Sequence, residues 1–428
     1  MTKKRITRLF VATLAVPTLA LAACGGGSDE NGITGSGTTG DGDPITLEFP
    51  TWQAEDQSFA PWWNELIGAY EDEHPNVTID FYQIPFDSYV DQLTTRFAAG
   101  DEPEIVHLPA RNAAEFASRG WLAELDERLA ETDILESWTP LQEEMQWDGQ
   151  NYGVLLLGYG YAMYYNEQLL ADAGMDVPTT SEEFIAAAEA VTGDGVFGFG
   201  ATTQQNPDNY TELVSFIIGN GGLLATDEGQ FTVDTPGVVD SMEQYRQAVN
   251  NAPAGIQSQQ RNELFLNGNI AMMIDGPFFL PELDSAPEDV REHLNVAAPP
   301  FDTVPGGVSN SIHMPTDLEG DVADAVWAFV EMAASPEWQE RYAELAAVPA
   351  PREGSVSEEA IANVPELELF QQLADEAETI YPTAPEHREN FGRISDAVSQ
   401  AAIRLISTDE PTSQIATTLQ QDLESSVR

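Results

Sequence analysis

Lysine is nearly absent from this sequence, occurring only at Lys3 and Lys4 among 428 residues. Downstream of these positions there is no lysine for a Walker A loop, a Schiff base or a Ser-Lys dyad, so enzymes that depend on one are excluded. The shortage of positive charge also argues against a nucleic-acid partner, because phosphate binding depends on clustered Lys and Arg.

Cysteine and clustered histidine are scarce as well. Cys24 is the only cysteine, so the chain has no internal disulfide and no cysteine-ligated zinc site. The histidines are scattered, and none has the His-Glu-x-x-His spacing of a zinc protease. They are His74, His107, His293, His313 and His387. We therefore expect neither a metal nor a cofactor.

The start of the chain has the features of an export signal. Four basic residues up to Arg8 precede an apolar run over 9–22 that is too short for a comfortable transmembrane helix. Small residues then lead directly into Cys24, which resembles the lipobox of bacterial lipoproteins, in which this cysteine is diacylated. The alternative is an ordinary signal peptide with a chance cysteine. We predict a signal peptide over 1–23, lipidation of Cys24, which would exclude thiol catalysis, and a flexible tether over 24–44.

Acidic residues dominate the charge. The chain has 72 Asp and Glu against 17 Lys and Arg, and removal of the leader would leave 13 basic residues and a net charge of −59. The charge is spread along the chain, which favours a solvated acidic coat suited to a saline exterior. The alternative is an exported protein that is merely acidic. With 42% hydrophobic residues, the length favours two lobes of ordinary domain size.

Strand and helix patterns alternate downstream of the tether, as in a parallel α/β sheet. The predicted elements are strand 45–49, helix 62–74, strand 77–82, helix 86–99, strand 104–108 and helix 113–119. Later, Gly193 to Gly198 matches the letters of a dinucleotide-binding loop, but it follows a helix-like segment and leads into a strand-like one. Because that order is the reverse of the fingerprint, we predict a turn there.

Short motifs then follow one another in a definite order. They are His74-Pro75-Asn76-Val77, the run from Tyr89 to Val106, Gly120-Trp121-Leu122, Tyr152-Gly153-Val154, Tyr164-Tyr165-Asn166, Pro178-Thr179-Thr180, Gly221-Gly222, Phe265-x-x-Gly268-Asn269, Gly276-Pro277 and Ser335-Pro336-Glu337-Trp338. Together they resemble the extracellular solute-binding proteins of carbohydrate ABC importers, the family of maltose-binding protein. Each motif alone is weak, but the ordered set spans nearly the whole mature chain.

The resemblance implies two α/β lobes, each a mostly parallel sheet flanked by helices, with the ligand cleft between them. The first lobe would comprise 45–157 plus 309–368, and the second 158–308 plus 369–428. Hinge strands would cross near 153–160 and 306–311.

The function implied is that of an extracytoplasmic, membrane-anchored receptor that captures a sugar or oligosaccharide by lobe closure and delivers it to a permease, without enzymatic activity. A secreted glycoside hydrolase, which needs two positioned carboxylates, and a surface adhesin lipoprotein are the alternatives.

A neutral sugar has apolar ring faces and a rim of hydroxyls, so its site needs aromatic platforms and short polar side chains. Strand-end positions and the resemblance together predict these contacts: Trp52, Gln53, Arg111, Asn112, Tyr159, Tyr161, Asn209, Tyr210, Asp275, Phe278, Phe279 and Phe391. Phe278 and Phe279 stand where the resemblance implies Trp.

Other interpretations of these residues stay open. Trp52 and Tyr210 could be core residues, Arg111 could pair with a nearby acid, and Asp275 could simply end its strand. The tryptophans in helix-like segments have core spacing, and we interpret most of them as packing residues. They are Trp62, Trp63, Trp121, Trp327 and Trp338. Tyr164 and Tyr165, beside an apolar run, are also interpreted as core residues.

Overall fold

The computed structural model describes residues 43–226 and 228–427. The predicted signal peptide, the lipidation of Cys24 and nearly all of the tether lie outside these residues. The strands are β1 (Ile45–Thr51), β2 (Val77–Gln83), β3 (Val106–Pro109), β4 (Gln146–Trp147), β5 (Gln150–Asn151), β6 (Val154–Gly160), β7 (Ala162–Asn166), β8 (Phe197–Gly200), β9 (Ile270–Asp275), β10 (Leu294–Ala297), β11 (Val304–His313) and β12 (Ala377–Thr379).

Helices occupy most of the remaining chain. They are α1 (Ala60–Glu73), α2 (Phe86–Ala99), α3 (Ala113–Ser118), α4 (Asp126–Leu129), α5 (Ile134–Ser137), α6 (Glu167–Asp172), α7 (Ser181–Val191), α8 (Asp208–Gly219), α9 (Pro236–Val249), α10 (Ser258–Leu266), α11 (Glu288–Arg291), α12 (Gly320–Ala333), α13 (Pro336–Ala346), α14 (Glu358–Asn363), α15 (Glu366–Glu376), α16 (Pro385–Glu389), α17 (Phe391–Ser407) and α18 (Thr412–Ser426). Short 3-10 helices lie at Ala110–Asn112, Pro140–Met145 and Pro277–Ser285. No helix in 43–226 or 228–427 is long and apolar enough to cross a membrane.

The predicted alternation of strands and helices from residue 45 to 119 is confirmed. Helix α2 spans 86–99 as predicted, and it ends because Gly100 takes a left-handed conformation with φ 68°. Strands β1 and β2 pair in parallel along their full lengths. The turn predicted near Gly193 is also confirmed, since Gly193 and Val196 exchange backbone hydrogen bonds of 3.0 and 2.9 Å.

The two-lobe α/β class is confirmed, but the expectation of mostly parallel sheets is wrong. One four-stranded sheet, here called the second sheet, has the order β10-β7-β9-β8, and only β8 and β9 run parallel. The first sheet contains β12-β11-β3, with β6 also paired to β11, and β3 and β6 both run antiparallel to β11. The chain leaves the first sheet along β6 and comes back into it along β11. These two strands therefore run in opposite directions, and their pairing is antiparallel.

The two sheets are joined where β6 continues into β7. There Gly160 of β6 pairs with Gly306 of β11. A Cβ atom at Gly306 would collide with the carbonyl oxygen of Tyr159, and one at Gly160 would collide with the carbonyl oxygen of Leu373 in α15. Glycine therefore allows the crossing segments to approach this closely. The exact residues at which the lobes divide stay a prediction.

Aromatic packing holds the sheets and helices together. Trp62 and Trp63 on α1 are fully buried, which confirms their interpretation as packing residues. The Trp63 ring meets Phe49 of β1 edge-on at 5.0 Å and stacks at 6.4 Å against Phe329 of α12. Tyr164 is fully buried in the second sheet and donates to the Gly276 carbonyl at 2.7 Å, as expected of a core residue.

Candidate functional site

A cavity of about 660 Å³ lies where elements of the first and second sheets meet. Its aromatic residues include Trp52, Phe86, Tyr159, Tyr161 and Phe278. Its acidic residues are Asp56, Asp87, Asp208, Glu212, Glu263, Asp275 and Glu282, and its basic residues are Arg111 and Arg261. The carboxyl ends of β1 and β9 supply Trp52 and Asp275, as expected for a ligand crevice in an α/β sheet.

Trp52 forms an aromatic platform supported by a buried histidine. Its ring is stacked on His107 with centroids 4.2 Å apart and an interplanar angle of 5°. The indole nitrogen of Trp52 has no protein acceptor within 43–226 and 228–427 and so remains available to a ligand. The ring therefore offers a stacking surface and a hydrogen-bond donor.

His107 is held in a single neutral form. Its Nε2 donates to Oδ1 of Asn310 at 3.1 Å, and its Nδ1 accepts from the Thr51 hydroxyl at 2.7 Å. Burial lowers the pKa of His107 to about 3. An uncharged imidazole packs under the indole without the cost of a buried charge, so this histidine is a support for Trp52.

The loop after β1 is also fixed by amide side chains. Gln53 is buried, and its Oε1 accepts from the indole nitrogen of Trp63 at 2.8 Å. Gln83 at the end of β2 donates to the Trp52 carbonyl at 2.9 Å and accepts from the Glu55 backbone at 3.0 Å. These bonds hold the segment that carries the Trp52 platform against α1 and β2.

Arg111 lies over aromatic rings, with its guanidinium carbon 5.7 Å from the centroid of Phe86 and 6.0 Å from that of Tyr381. It has no carboxylate within 4.0 Å among the described residues, so the alternative of an acid pair is not seen. A guanidinium held by cation-π contacts keeps donors free for ligand oxygens.

Two tyrosines form the wall at the crossing between the sheets. The hydroxyls of Tyr159 and Tyr161 lie 3.0 Å apart, and the ring of Phe278 meets Tyr159 edge-on at 5.5 Å. Burial raises the pKa of both tyrosines above the ordinary value, so both are neutral. A hydroxyl pair can donate to or accept from a sugar hydroxyl, which suits a carbohydrate rim.

The opposite wall carries buried charge from three elements. Arg261 on α10 forms an ion pair with Asp275 at the end of β9, and its Nη1 lies 3.5 Å from Oε1 of Glu212 on α8. Glu212 and Asp275 are only 9% and 6% exposed. Glu212 also accepts from the Thr202 backbone at 2.8 Å and from the Tyr245 hydroxyl at 3.3 Å.

Burial dominates the acid-base behaviour of this wall. Burial raises the pKa of Glu212 to about 7, against a smaller opposing effect of Arg261. Burial and then the neighbouring Asp275 and Asp56 carboxylates raise the pKa of Glu282 to about 7. One guanidinium therefore does not fully compensate the carboxylates around it.

Eight of the twelve sequence-predicted contacts line the cavity. They are Trp52, Gln53, Arg111, Tyr159, Tyr161, Asp275, Phe278 and Phe279. Of these, Phe279 is 1% exposed and packs edge-on against Tyr164 at 5.1 Å, so most of its ring belongs to the core.

Asn209 and Tyr210, predicted as ligand contacts, are not among the residues that line this cavity. Tyr210 is 1% exposed, donates to the Ile380 carbonyl at 2.7 Å and meets Phe391 edge-on at 5.2 Å. Asn209 is buried and donates to the Thr202 carbonyl at 2.8 Å. Protein partners occupy both polar groups, so neither faces the cavity.

The predicted contacts Asn112 and Phe391 are not in the cavity lining either. Phe391 is buried against the stacked pair of Tyr210 and Tyr381. Asn112 is buried at the end of the 3-10 helix that leads into α3. Both residues pack the elements that surround the site.

Of the charged wall, sequence reasoning predicted Asp275 but missed Arg261, Glu212 and Glu282. In a chain with so many acids, no local pattern distinguished Glu212 or Glu282 from surface carboxylates. The helical spacing of Asp208, Glu212 and Ser215 places them on one face of α8, but that face was not recognised as a cavity wall. Phe86, at the start of α2, was also missed.

The model of the bacterial extracellular solute-binding proteins matches residues 56–340. An uncharacterized lipoprotein of Streptomyces antibioticus is 31% identical over 201 residues, which cover 45% of this chain and 41% of that protein. The diacetylchitobiose-binding protein DasA of Streptomyces coelicolor is 26% identical over 289 residues, covering 64% of each chain. The fold is similar to that of the GacH receptor of Streptomyces glaucescens, solved unliganded and with acarbose, with a TM-score of 0.79 and 21% identity over 90% of this chain and 98% of that one.

Proposed function

The chain belongs to the bacterial extracellular solute-binding proteins, and from that premise we propose that it is the carbohydrate receptor of an ABC importer. Relatives and structural neighbours support this assignment, since they include a diacetylchitobiose-binding protein and a receptor solved with acarbose. The family consists of binding proteins, which supports a role in capturing the ligand without transforming it.

One observation carries the carbohydrate assignment: the cavity combines aromatic faces with a rim of hydroxyl and charged groups. Trp52 offers an indole face on one wall, while Tyr159 and Tyr161 offer a hydroxyl pair at the crossing. Stacking on the ring faces and hydrogen bonds to the hydroxyls are the two kinds of contact that a sugar requires. A volume of about 660 Å³ is large enough for an oligosaccharide of a few rings.

The proposed mechanism is closure around the ligand. The lining residues come from elements of both sheets, which are joined at the tightly packed crossing of Gly160 and Gly306. A sugar that touches Trp52 on one side and the α8 wall on the other binds the closed form more tightly, and so shifts the population towards it. The closed form would then be presented to the permease.

Membrane anchoring is part of the proposal. Cys24 lies after an apolar run that ends in small residues, and one relative is named as a lipoprotein. Diacylation would supply two chains, which is enough for stable attachment.

The test of the receptor function is a melting-temperature screen of the purified chain against a panel of neutral, amino and acidic mono- to tetrasaccharides. A ligand that binds only the folded state raises the melting temperature by mass action. We expect at least one sugar to do so, to bind with an affinity measurable by calorimetry and to reduce the radius of gyration in solution scattering. No stabilisation by any sugar, or steady release of reducing sugar, would contradict the proposal.

A further inference from the structure

Around Arg261, the carboxylates of the cavity outnumber the positive charges. Arg261 is paired with Asp275 and close to Glu212. The Asp208 carboxylate acts electrostatically on Glu212, and the Asp56 carboxylate acts on Glu282. Among the described residues, the only other cation in the lining is Arg111, which lies over the rings of Phe86 and Tyr381. The wall therefore has an excess of negative charge.

The excess negative charge of the cavity wall differs from that of the protein surface in its exposure to water. A coat carboxylate stays in water, whereas Glu212 and Asp275 are more than nine-tenths buried. Taking a carboxylate out of water is costly unless a cation or several donors compensate it. Because Arg261 is shared between the two carboxylates, a second cation at this wall would be stabilised by their remaining negative charge.

Among the lining acids that are at least partly buried, Glu282 has the fewest protein partners in the described residues. Its side chain is half-buried in the 3-10 helix at Pro277–Ser285, and no ion pair or hydrogen bond to it is found in 43–226 or 228–427. It lines the cavity, and its pKa is raised by burial and then by the Asp275 and Asp56 carboxylates. A positive group in the ligand would remove that repulsion.

A second, independent feature indicates a polar ligand at the same wall. Ser215 lines the cavity on α8, is 2% exposed, and its hydroxyl has no hydrogen-bond partner among the described residues. It lies about one helical turn beyond Glu212 on the same face. A buried hydroxyl without a partner is costly, so a ligand group that forms a hydrogen bond with Ser215 would be favoured at this position.

We propose that the ligand is an amino sugar, whose protonated amine lies beside Glu282 while its hydroxyls reach Glu212 and Ser215. The inference rests on the proposed carbohydrate-receptor function and deepens it. A neutral sugar could donate hydroxyls to the same carboxylates but would leave the excess charge uncompensated. An acidic sugar would add to it, so uronic acids bind least.

The test uses pairs of sugars that differ only by an amino group in place of a hydroxyl. The probes are glucosamine with glucose, galactosamine with galactose, and the glucosamine trimer of chitosan with cellotriose, all measured by calorimetry at pH 7 and 0.1 M salt. We expect the amino member of at least one pair to bind about tenfold or more tightly than its neutral partner, which is the lower end of what close charge pairs supply.

Two variants assign the effect. Glu282→Gln removes the carboxylate without removing its shape and is expected to lower affinity for the amino member about tenfold while leaving the neutral member within about twofold. Glu288→Gln removes the same charge from an exposed position outside the cavity lining and is expected to change neither. Melting curves of both variants confirm that they are folded.

The outcomes separate the two proposals. Neutral members that bind as tightly as amino members overturn the amino-sugar inference and leave the receptor function standing. Stabilisation by none of the sugars in the wider panel overturns the receptor function and the inference with it. An amino preference that survives unchanged in Glu282→Gln overturns the role of Glu282.

Discussion

Replacing Glu212 by Gln removes a buried carboxylate whose pKa is raised by burial to about 7 from an ordinary value of 4.5. Between these two values the folded protein binds a proton that the unfolded chain does not. The contribution of Glu212 to the free energy of unfolding therefore rises as the pH falls through this window, and is lost as the pH rises towards 8. The Gln variant has no such group.

The magnitude follows from the shift. A shift of this size is worth about 3 kcal/mol in total, and crossing the folded pKa from pH 8 to pH 6 recovers about 1 kcal/mol of it. The buried histidines oppose this trend, because burial lowers the pKa of His107 to about 3 and of His313 to about 4, while the unfolded chain protonates them. Both chains contain these histidines, so their effect cancels in the difference between wild type and variant.

The assay is urea denaturation of the ligand-free protein at pH 6, 7 and 8 at constant ionic strength, followed by tryptophan fluorescence. The wild type should gain about 1 kcal/mol relative to Glu212→Gln between pH 8 and pH 6. Glu183→Gln is the matched control, because hydrogen bonds from Thr179 hold the pKa of Glu183 below its ordinary value and keep it ionised throughout. If the difference in free energy of unfolding between wild type and Glu212→Gln depends on pH as little as the difference for Glu183→Gln, the claim that the Glu212 carboxylate is poorly compensated is refuted.

Three further predictions concern the Trp52 platform, the packing of Tyr210 and the acidic surface. Trp52→Ala should weaken sugar binding by about a hundredfold in calorimetry, as for a buried aromatic hot spot, and an unchanged affinity would contradict the platform. Tyr210→Phe should lower the free energy of unfolding by about 1 kcal/mol, because it removes the bond to the Ile380 carbonyl, and should leave sugar affinity within about twofold. A large loss of affinity at unchanged stability would return Tyr210 to the site. The melting temperature should rise between 0.1 and 1 M salt, since screening shortens from about 10 to about 3 Å, and a flat curve would contradict a self-repelling acidic coat.

Local sequence patterns predicted the strands and helices between residues 45 and 119, but they did not predict how the strands pair. Helix α2 was placed correctly because its apolar spacing and the following Gly100 are both visible in the sequence. The antiparallel pairing of β3 with β11 joins segments about two hundred residues apart, such as Leu108 with Ser311. No local signal carries that register, so the expectation of mostly parallel sheets was wrong.

The candidate site was predictable where it lies at strand ends. Trp52 and Asp275 could be placed in the cavity lining from the sequence because the carboxyl ends of β1 and β9 open into the crevice. Glu212 and Glu282 were not found, because composition alone cannot separate a desolvated carboxylate from the many solvated ones. Only the packing of α8, α10 and the 3-10 helix around Arg261 reveals which acids are taken out of water.

Trp52 and Tyr210 show why the same kind of signal had two outcomes. Both are aromatics at the ends of segments, and each ring has one polar group that must find a partner when buried. The Tyr210 hydroxyl finds the Ile380 carbonyl, delivered by the chain segment that follows β12. The Trp52 indole nitrogen finds no acceptor in the described residues, while its ring face is held by neutral His107. An aromatic whose polar group is already satisfied within the protein packs the fold, and one whose polar group is left open in a cavity is free to hold a ligand.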